Sequence, residues 1–433
     1  MTPQSEFMVL ARINPAREAE LRAFLDSMNE APGRVNPNNA LIPFARLDRL
    51  HFARLVILDD KTTGDIRAYG LEPRTFPLYL AFLGDIDGVV DSFLKELAGI
   101  ASSGLRQIFS CCDGFDAHTH LVRWMKQRIA PAIANYVNWR GRTVRRVREE
   151  AALHDVIEAH LTSHRHELLA HPPREIHSRL QAFVNAEKAI GRIVLSEERA
   201  TPLTWRLRNL LHLIALPLFF VVALPLLIVL APIYFLRLRQ LEKSDPELCD
   251  RVDPVHSDNL ASREDHLVTN QFTAMGSLKP GLVRLLTVIG VLTLVNWGAR
   301  HIFTRGRLAR IRTIHFARWV FLDDRKRMVF FSNYDGTVES YMDDFINKTG
   351  FGLNAAFSNG IGYPHTDWLV LGGCGDEQKY KNFLRRHTLP TQVWYKAYPG
   401  LTAIDLERNS RIRQGLDSVS LNEHEAREWV ALL

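Results

Sequence analysis

"H-F-A-R-L-V-I-L-D-D" occupies residues 51–60, and "H-F-A-R-W-V-F-L-D-D" occupies residues 315–324. Only two of the ten positions differ, and each difference exchanges one apolar residue for another. Asn14-Pro15 stands before the first copy as Lys279-Pro280 stands before the second. Such a match indicates an internal duplication, which has to be recognised before any fold is assigned.

The correspondence continues downstream of the two matching segments. Residues 87–93 read D-G-V-V-D-S-F, and residues 335–341 read D-G-T-V-E-S-Y. The connection between these segments is shorter in the second half, and the part it lacks corresponds to the polar stretch Lys61–Pro77. Weaker matches pair Pro131, Tyr136 and Gly141 with Pro390, Tyr395 and Gly400. Ordered matches separated by loop-sized differences are what a duplication leaves.

The first half predicts the element order β-α-β-β-α-β. Pro15 suits the first turn of a helix, apolar β-branched residues favour strands, and the Asp87 side chain is expected to cap a helix. The predicted elements are a strand at Phe7–Asn14, a helix at Ala16–Met28, strands at Leu50–Leu58 and Leu78–Leu83, a helix from Asp87 to Leu97 and a strand at Gly104–Cys111. This order is that of a ferredoxin-like unit.

The predicted fold class is α+β, with two ferredoxin-like units from an internal duplication packed as a pseudo-dimeric α+β barrel. A helical insertion and a membrane-inserted segment complete the chain. The predicted domains are a first unit at 1–115, a helical extension at 116–204, a membrane-inserted hairpin or span at 205–245, a linker at 246–267, and a second unit with a C-terminal extension at 268–433. The topology resembles that of the dimeric α+β barrel superfamily, which includes dye-decolourising peroxidases and chlorite dismutases.

Leu213–Leu236 carries no charged residue, and a segment of about 20 apolar residues is long enough to cross a bilayer. Pro217, Pro225 and Pro232 argue against one straight helix, because an interior proline removes a hydrogen bond. A crossing would put the two units on opposite sides of the membrane, where their sheets could not pair. We therefore expect a kinked hairpin that enters and leaves on one face, with a true span as the alternative.

A second apolar stretch, Leu285–Ala299, follows Lys279-Pro280 as the first predicted helix follows Asn14-Pro15. It is therefore predicted to be the first helix of the second unit, with its outer face on the bilayer. A conventional transmembrane helix is the alternative. Trp205 and Trp297 are suited to the membrane interface in either case.

Charge and cysteine content limit the compartment and the partners. The formal net charge is +6, and arginine and lysine are dense in residues 123–148 and on both flanks of the apolar segment. Near a bilayer these residues favour anionic headgroups as the partner, and nucleic acid is not expected. The four cysteines do not form a disulfide or metal pattern, and the N-terminus does not read as a signal peptide. Both units are expected on the cytoplasmic face.

Histidine is concentrated in residues 150–199, where a helical composition holds six of the chain's 17 histidines. The set lacks the H-E-x-x-H pattern of a zinc site, so a solvated helical hairpin is predicted and no metal ligands are assigned.

The residues 84–88, G-D-I-D-G, match the G-x-x-D-G pattern of dye-decolourising peroxidases. The resemblance implies a haem, with Asp87 as the acid beside it; the alternative role of Asp87 is the helix cap. The repeated H-F-A-R strands place a histidine and an arginine where both must be paired if buried. They either line a cavity or form structural pairs with the aspartates at 59–60 and 323–324.

The second unit is richer in polar and loop residues, and we place the candidate site there. The predicted catalytic residues are His315, Arg318, Asp335 and His365, and the predicted cofactor-binding residues are Asn333, Asn359, Tyr363 and Arg411. The segments 256–258 and 263–266 are expected to cover this site.

The resemblance implies a membrane-associated oxidoreductase of peroxidase or monooxygenase type that uses haem. Its substrate would be a lipophilic small molecule that enters from the bilayer, and an oligomer is compatible with the superfamily. The alternative is a non-catalytic membrane protein that binds lipid or a partner. Function inferred from fold alone is an analogy, so the site has to decide between them.

Overall fold

The computed structural model describes residues 1–59, 62–168, 170–248, 251–264, 268–418 and 420–433. The strands are β1 Gln4–Arg12, β2 Asn29–Ala31, β3 Arg34–Val35, β4 Leu50–Leu58, β5 Tyr79–Asp87, β6 Ala134–Val137, β7 Thr269–Ser277, β8 Ile314–Leu322, β9 Arg327–Asp335, β10 Thr366–Asp367, β11 Leu371–Gly372 and β12 Val393–Lys396.

The helices are α1 Glu18–Ser27, α2 Thr63–Ala68, α3 Val90–Ser110, α4 Leu121–Gln127, α5 Val144–Ser163, α6 Arg165–Leu168, α7 Pro173–Ala189, α8 Leu203–Ser244, α9 Pro254–Ala261, α10 Leu282–His301, α11 Val338–Phe357, α12 Glu377–His387, α13 Ala403–Asp417 and α14 Glu423–Val430. Two of the described helices, α3 and α8, are longer than 20 residues, and two, α8 and α10, are strongly apolar.

The described residues form two four-stranded antiparallel sheets with matching strand orders. One is β1-β5-β4-β12 and the other is β7-β9-β8-β6. Each sheet takes three strands from one half of the chain and its fourth strand from the other half. Strand β12 pairs with β4, and strand β6 pairs with β8. The halves are therefore joined by backbone hydrogen bonds as well as by side-chain packing.

The strand predicted at Gly104–Cys111 is wrong, because α3 runs through it to Ser110. Leu97, Ala101, Leu105 and Ile108 are all buried at spacings of three or four residues, which is the period of one helix face. The next strand along the chain is β6, which begins only after α4. By contrast, the boundaries predicted for Leu50–Leu58 are confirmed.

The two sheets pack face to face, and their inner faces form an apolar layer. Met8, Leu83 and Val56 of the first sheet lie in one buried cluster with Val320 and Phe331 of the second. Two larger clusters lie on the outer faces, between each sheet and its helices. The chain therefore has a layered core whose centre is the interface between the halves.

The halves differ most at one connection. Residues 323–326 form a tight turn between β8 and β9, whereas residues 59–78 separate β4 from β5 and include α2. The two connections touch, because the Tyr79 hydroxyl donates to Asp323 at 2.9 Å and the Arg327 guanidinium lies over the Phe76 ring. The difference in connection length predicted from the sequence is confirmed.

Helix α8 is continuous over 42 residues, so the predicted hairpin is wrong. At 1.5 Å per residue it is about 60 Å long. Pro217, Pro225 and Pro232 all lie inside it on exposed positions. They are spaced by about two turns, so the missing N–H groups fall on one side of the helix and the other side keeps its hydrogen bonds.

Helices α8 and α10 are the two that are long and apolar enough to cross a membrane among the residues described. They pack antiparallel: the Trp297 indole donates to the Leu213 carbonyl at 3.1 Å, and Arg300 donates to Asn209 at 2.8 Å. Near the other end, Tyr234 is hydrogen bonded to Thr287. Helix α10 itself packs on β6, which places it against the second sheet.

Candidate functional site

The histidine of each H-F-A-R strand is paired with an aspartate at the end of the neighbouring strand. His51 Nε2 lies 3.0 Å from Asp87 Oδ1, and His315 Nε2 lies 2.7 Å from Asp335 Oδ1. All four side chains are buried. The partners are thus Asp87 and Asp335, and the expectation that the aspartates at 59–60 and 323–324 supply them is wrong; Asp60 lies outside the described residues.

Each of these aspartates also caps a helix, but not the helix that the sequence suggested. The second oxygen of Asp87 accepts from the Val144 amide at the start of α5, at 2.8 Å. The second oxygen of Asp335 accepts from the Ala403 amide at the start of α13, at 2.7 Å. Helix α3 begins at Val90 without a side-chain cap. Both carboxylates therefore join a strand, a histidine and a distant helix.

The pKa of Asp335 reflects opposing effects of burial and of its hydrogen-bond partners. Burial by itself raises the pKa of a carboxyl group. The interaction with His315, the Ala403 amide and the Thr269 hydroxyl oppose this, and together they hold the pKa of Asp335 below its usual value. The ionised form is therefore the one that the fold stabilises.

The arginine of each H-F-A-R strand crosses to the opposite sheet. Arg54 donates to the carbonyls of Phe272 and Ser332, both at 2.8 Å. Arg318 donates to the carbonyls of Phe7, at 2.9 Å, and Gly84, at 3.1 Å. Each arginine therefore donates to backbone carbonyls of the other sheet. These buried charge-assisted hydrogen bonds connect the two sheets in both directions.

The acids around the two arginines are not equivalent in the halves. Arg318 pairs with Asp85 and with Glu6, whereas Arg54 is hydrogen bonded to Asn333, the counterpart of Asp85 in the strand register. The Asn333 amide in turn donates to Asp85 at 3.1 Å. One buried aspartate therefore serves both arginines, directly or through an amide.

The charges of this network are strongly affected by their burial. Desolvation lowers the pKa of Arg54 to about 9 and raises the pKa of Glu6 to about 7, even though Arg318 acts to lower the latter. Asp85 stood in the G-x-x-D-G match but was not singled out from the sequence. Its place on the strand that pairs with the Arg54 strand was the signal that could have identified it.

The space inside this network is too small for a cofactor. The cavity lined by Arg54, Asp85, Arg318 and Asn333 has a volume of about 10 Å³, which is room for one water molecule. A bound organic cofactor needs about 300 Å³ or more. Both ring nitrogens of His51 are already engaged, by Asp87 and by the Tyr398 hydroxyl. The residues between the sheets therefore do not fit a haem.

The other predicted site residues lie in separate places. His365 contacts the backbone carbonyl of Asp245 at the end of α8, and the Tyr363 hydroxyl donates to Asn354 at 2.7 Å. Asn359 is buried, and its carbonyl accepts from the Lys279 amide. Arg411 is exposed on α13. Of the eight residues predicted, four lie in two groups. His315 contacts Asp335 directly, and Arg318 and Asn333 both contact Asp85.

The segment expected to cover the site does line a cavity, but on the far side of the second sheet. This cavity of about 700 Å³ is bounded by α9, Arg263 and Glu264, together with the start of α11. The Glu264 carboxylate accepts from the Val338 amide, and Arg385 pairs with Glu339. Positions 265 and 266 lie outside the described residues. The described residues of this cavity do not form a nucleophile–base arrangement.

The histidine-rich region forms the predicted helical hairpin of α5 and α7, which packs on α13 and α14. His160 stacks on Phe183, and His177 is buried against Trp429. His154, Asp155 and Glu158 come close enough together to hold a metal ion, but the two acids are exposed on one turn of α5. Such exposed groups are ordinary on a helix surface and do not define a metal centre.

The C-terminal end of α8 is fixed by two buried carboxylates. Glu242 accepts from the Thr366 hydroxyl at 3.0 Å and from the backbone amides that follow it. Asp245 accepts from Lys279 at 2.7 Å, from Arg284 at 2.6 Å and from the Tyr69 hydroxyl at 2.8 Å. Neither acid was singled out from the sequence. This end of α8 is therefore part of the folded body.

The surface formed by α8 and α10 carries most of the exposed large apolar side chains of the described residues. Val222, Leu226 and Ile228 are each at least 60% exposed, and an exposed apolar patch of this extent marks an interaction site. Exposed cations lie at both ends of the surface: Arg206, Arg208, Arg305, Arg307 and Arg310 at one end, and Arg237 and Lys243 at the other.

No protein-family model, no curated protein and no solved structure matches this chain.

Proposed function

We propose that this chain is a membrane-associated protein that lies on one face of an anionic bilayer, with α8 in the plane of the membrane, and binds lipid. The observation that carries the proposal is the uncharged middle of α8, in which no residue is buried and which contacts α10 through Leu213 and Tyr234. The catalytic alternative stays a prediction from the resemblance, because the polar network between the sheets has no room for a substrate or a haem.

We also propose that the two sheets descend from duplicated ferredoxin-like units arranged as a pseudo-dimeric α+β barrel. The matching strand orders, the reciprocal fourth strands and the reciprocal arginines support this. The fold is then complete without α8, which joins the two units as a long insertion.

The strand pairing argues against a crossing by either apolar helix. Strand β6 precedes α8 in the chain but pairs with β8, which follows it. Strand β7 lies between α8 and α10 and pairs with β9 along nine residues. A single crossing by α8 would separate β6 from β8, and a crossing by each helix would separate β7 from β9. A helix parallel to the membrane surface keeps every pair on one side.

The charge distribution supports an anionic surface as the partner. Each arginine or lysine near an anionic surface contributes about 1 kcal/mol to binding. The cations at both ends of α8 would contact the headgroups, and the apolar residues between them would contact the acyl chains. This surface is consistent with the partner predicted from the sequence, a bilayer with anionic headgroups. We place both units on the same side of it, the cytoplasmic side being the expected one.

The test is vesicle flotation of the purified protein with Val222→Glu. Removing a buried valine from the acyl region forfeits about 1.5 kcal/mol, and the added charge costs more. We therefore expect at least about a ten-fold loss of binding to vesicles that contain phosphatidylglycerol. Val89→Glu is the matched control, because Val89 is a similarly exposed valine, at 67% against 73% for Val222, and lies outside α8 and α10. Equal loss in both variants, or no loss in either, contradicts the proposal.

A topology experiment gives an independent check. In a variant without the four native cysteines, single cysteines at the exposed positions 199 and 251, on either side of α8, should both react with an impermeant thiol reagent in one vesicle orientation, and neither should react in the other. Labelling of one position in one vesicle orientation and of the other position in the opposite orientation would show that α8 crosses the bilayer.

A further inference from the structure

A cavity of about 690 Å³ lies where the long β4–β5 connection meets the start of α10. One wall comes from the connection, with Leu71, Arg74 and Phe76. The facing wall comes from the β8–β9 turn, with Arg325 and Lys326, and from the segment that leads from β7 into α10. Its volume lies within the usual range for a ligand site, which is about 300–1,000 Å³.

This cavity exists because the halves differ. Residues 59–78 separate β4 from β5, whereas only residues 323–326 separate β8 from β9. The extra chain of the first half lies beside the short turn of the second half and encloses space that a symmetric pair of tight turns would leave open. A feature present in one half only is not required by the duplicated scaffold.

The lining combines an apolar interior with a cationic rim. Its apolar residues include Ile66, Leu71, Phe76, Leu278, Leu285 and Ile361. Arg74, Lys279, Arg325 and Lys326 also line it, against two carboxylates, Glu72 and Asp324. Within the described part of the chain, Arg74, Arg325 and Lys326 have no ion-pair partner. An unpaired cluster of this kind favours an anionic group.

The cavity adjoins the surface that we place on the membrane. Leu285 lines it, while Leu282 and Leu286 on the same end of α10 are 69% and 51% exposed. Lys279 in its wall is bonded to Asp245 at the end of α8. A hydrocarbon chain could therefore pass from the acyl region along α10 into the cavity without crossing water.

We infer that this cavity binds a single-chain anionic amphiphile, with the chain among the apolar residues and the anionic head at Arg74, Arg325 and Lys326. The inference rests on the proposed membrane association, which brings such molecules to the entrance. The shared chemistry is a long acyl chain with a carboxylate or phosphate head. Free fatty acids and lysophospholipids are the two sources.

The test measures binding of radiolabelled oleate, of oleoyl lysophosphatidic acid and of uncharged mono-oleoylglycerol to delipidated full-length protein in dodecyl maltoside. We expect both anions to bind in a one-to-one complex, at least ten-fold more tightly than the uncharged compound. The stronger of the two anions identifies the source. The double variant Arg74→Glu, Lys326→Glu should weaken anion binding at least ten-fold.

Arg67→Glu is the matched control, since Arg67 is an exposed arginine of the same connection that does not line the cavity. It should bind both anions like the unmodified protein, and circular dichroism confirms that each variant is folded. Equal binding of the uncharged compound, or unchanged binding by the folded double variant, overturns the inference. Vesicle flotation on the same preparations separates this result from a failure of membrane association.

Discussion

Replacing Asp85 by asparagine tests whether the polar network holds the two sheets together. The substitution keeps the shape of the side chain but removes the carboxylate that pairs with Arg318 and accepts from Asn333. The Asp85 and Arg318 side chains are 6% and 4% exposed, so the remaining cation cannot be solvated in its place. Removing one partner of a buried ion pair costs about 3–5 kcal/mol.

That cost is a large part of the total stability of a protein, which is about 5–15 kcal/mol. At roughly 2 °C per kcal/mol for a large domain, Tm should fall by about 6–10 °C. The assay is thermal unfolding in detergent, followed by circular dichroism. Asp91→Asn is the control: Asp91 pairs with Lys95 and Lys126 on the surface at 50% exposure, and an exposed pair contributes at most about 1 kcal/mol.

A double-mutant cycle adds the decisive comparison. Arg318→Met removes the buried cation, so Asp85→Asn should cost about 0.5–3 kcal/mol less in that background than in the unmodified protein. If Asp85→Asn costs no more than Asp91→Asn, or if its cost is unchanged beside Arg318→Met, the network does not stabilise the contact between the sheets.

Two further predictions follow from the other buried carboxylates. Because the folded state lowers the pKa of Asp335, its ionised form contributes stability above the ordinary value of 3.8, and this contribution is lost as the pH falls through the folded pKa. Acid titration of the unfolding free energy should therefore be shallower below pH 4 in Asp335→Asn, and identical slopes would contradict the assignment. Asp245→Asn leaves two buried cations, Lys279 and Arg284, without their carboxylate. It should cost about 3–5 kcal/mol and expose the connection after α8 to limited proteolysis, whereas an unchanged cleavage pattern would show that this end of α8 is held by other contacts.

The sequence predicted the repeated scaffold better than its fourth strand. The ten-residue match located β4 and β8, because a buried strand of a duplicated core tolerates only apolar exchanges. It also identified α10 as a helix of the fold by its place after Lys279-Pro280. The strand at Gly104–Cys111 failed because a short apolar run has the same composition in a strand and in a buried helix. The true strands, β6 and β12, are four residues long and carry too little periodicity.

The candidate site was predicted only in part for a similar reason. His315 pairs with Asp335, and Arg318 and Asn333 both contact Asp85, but these are buried structural contacts. The pairing of each arginine with the opposite sheet depends on contacts between residues more than 200 positions apart in the chain. No local pattern encodes such a contact.

The sequence by itself determined the repeated ten-residue segment, the apolar segment and the connection in which the halves differ, because each of these is a local feature of the sequence. The tertiary structure decided that the fourth strands are exchanged between the halves and that α8 lies along α10. It also decided that the long connection closes a cavity instead of extending into solvent. These outcomes depend on which distant surfaces bury one another, and that is set by the packing of the whole chain.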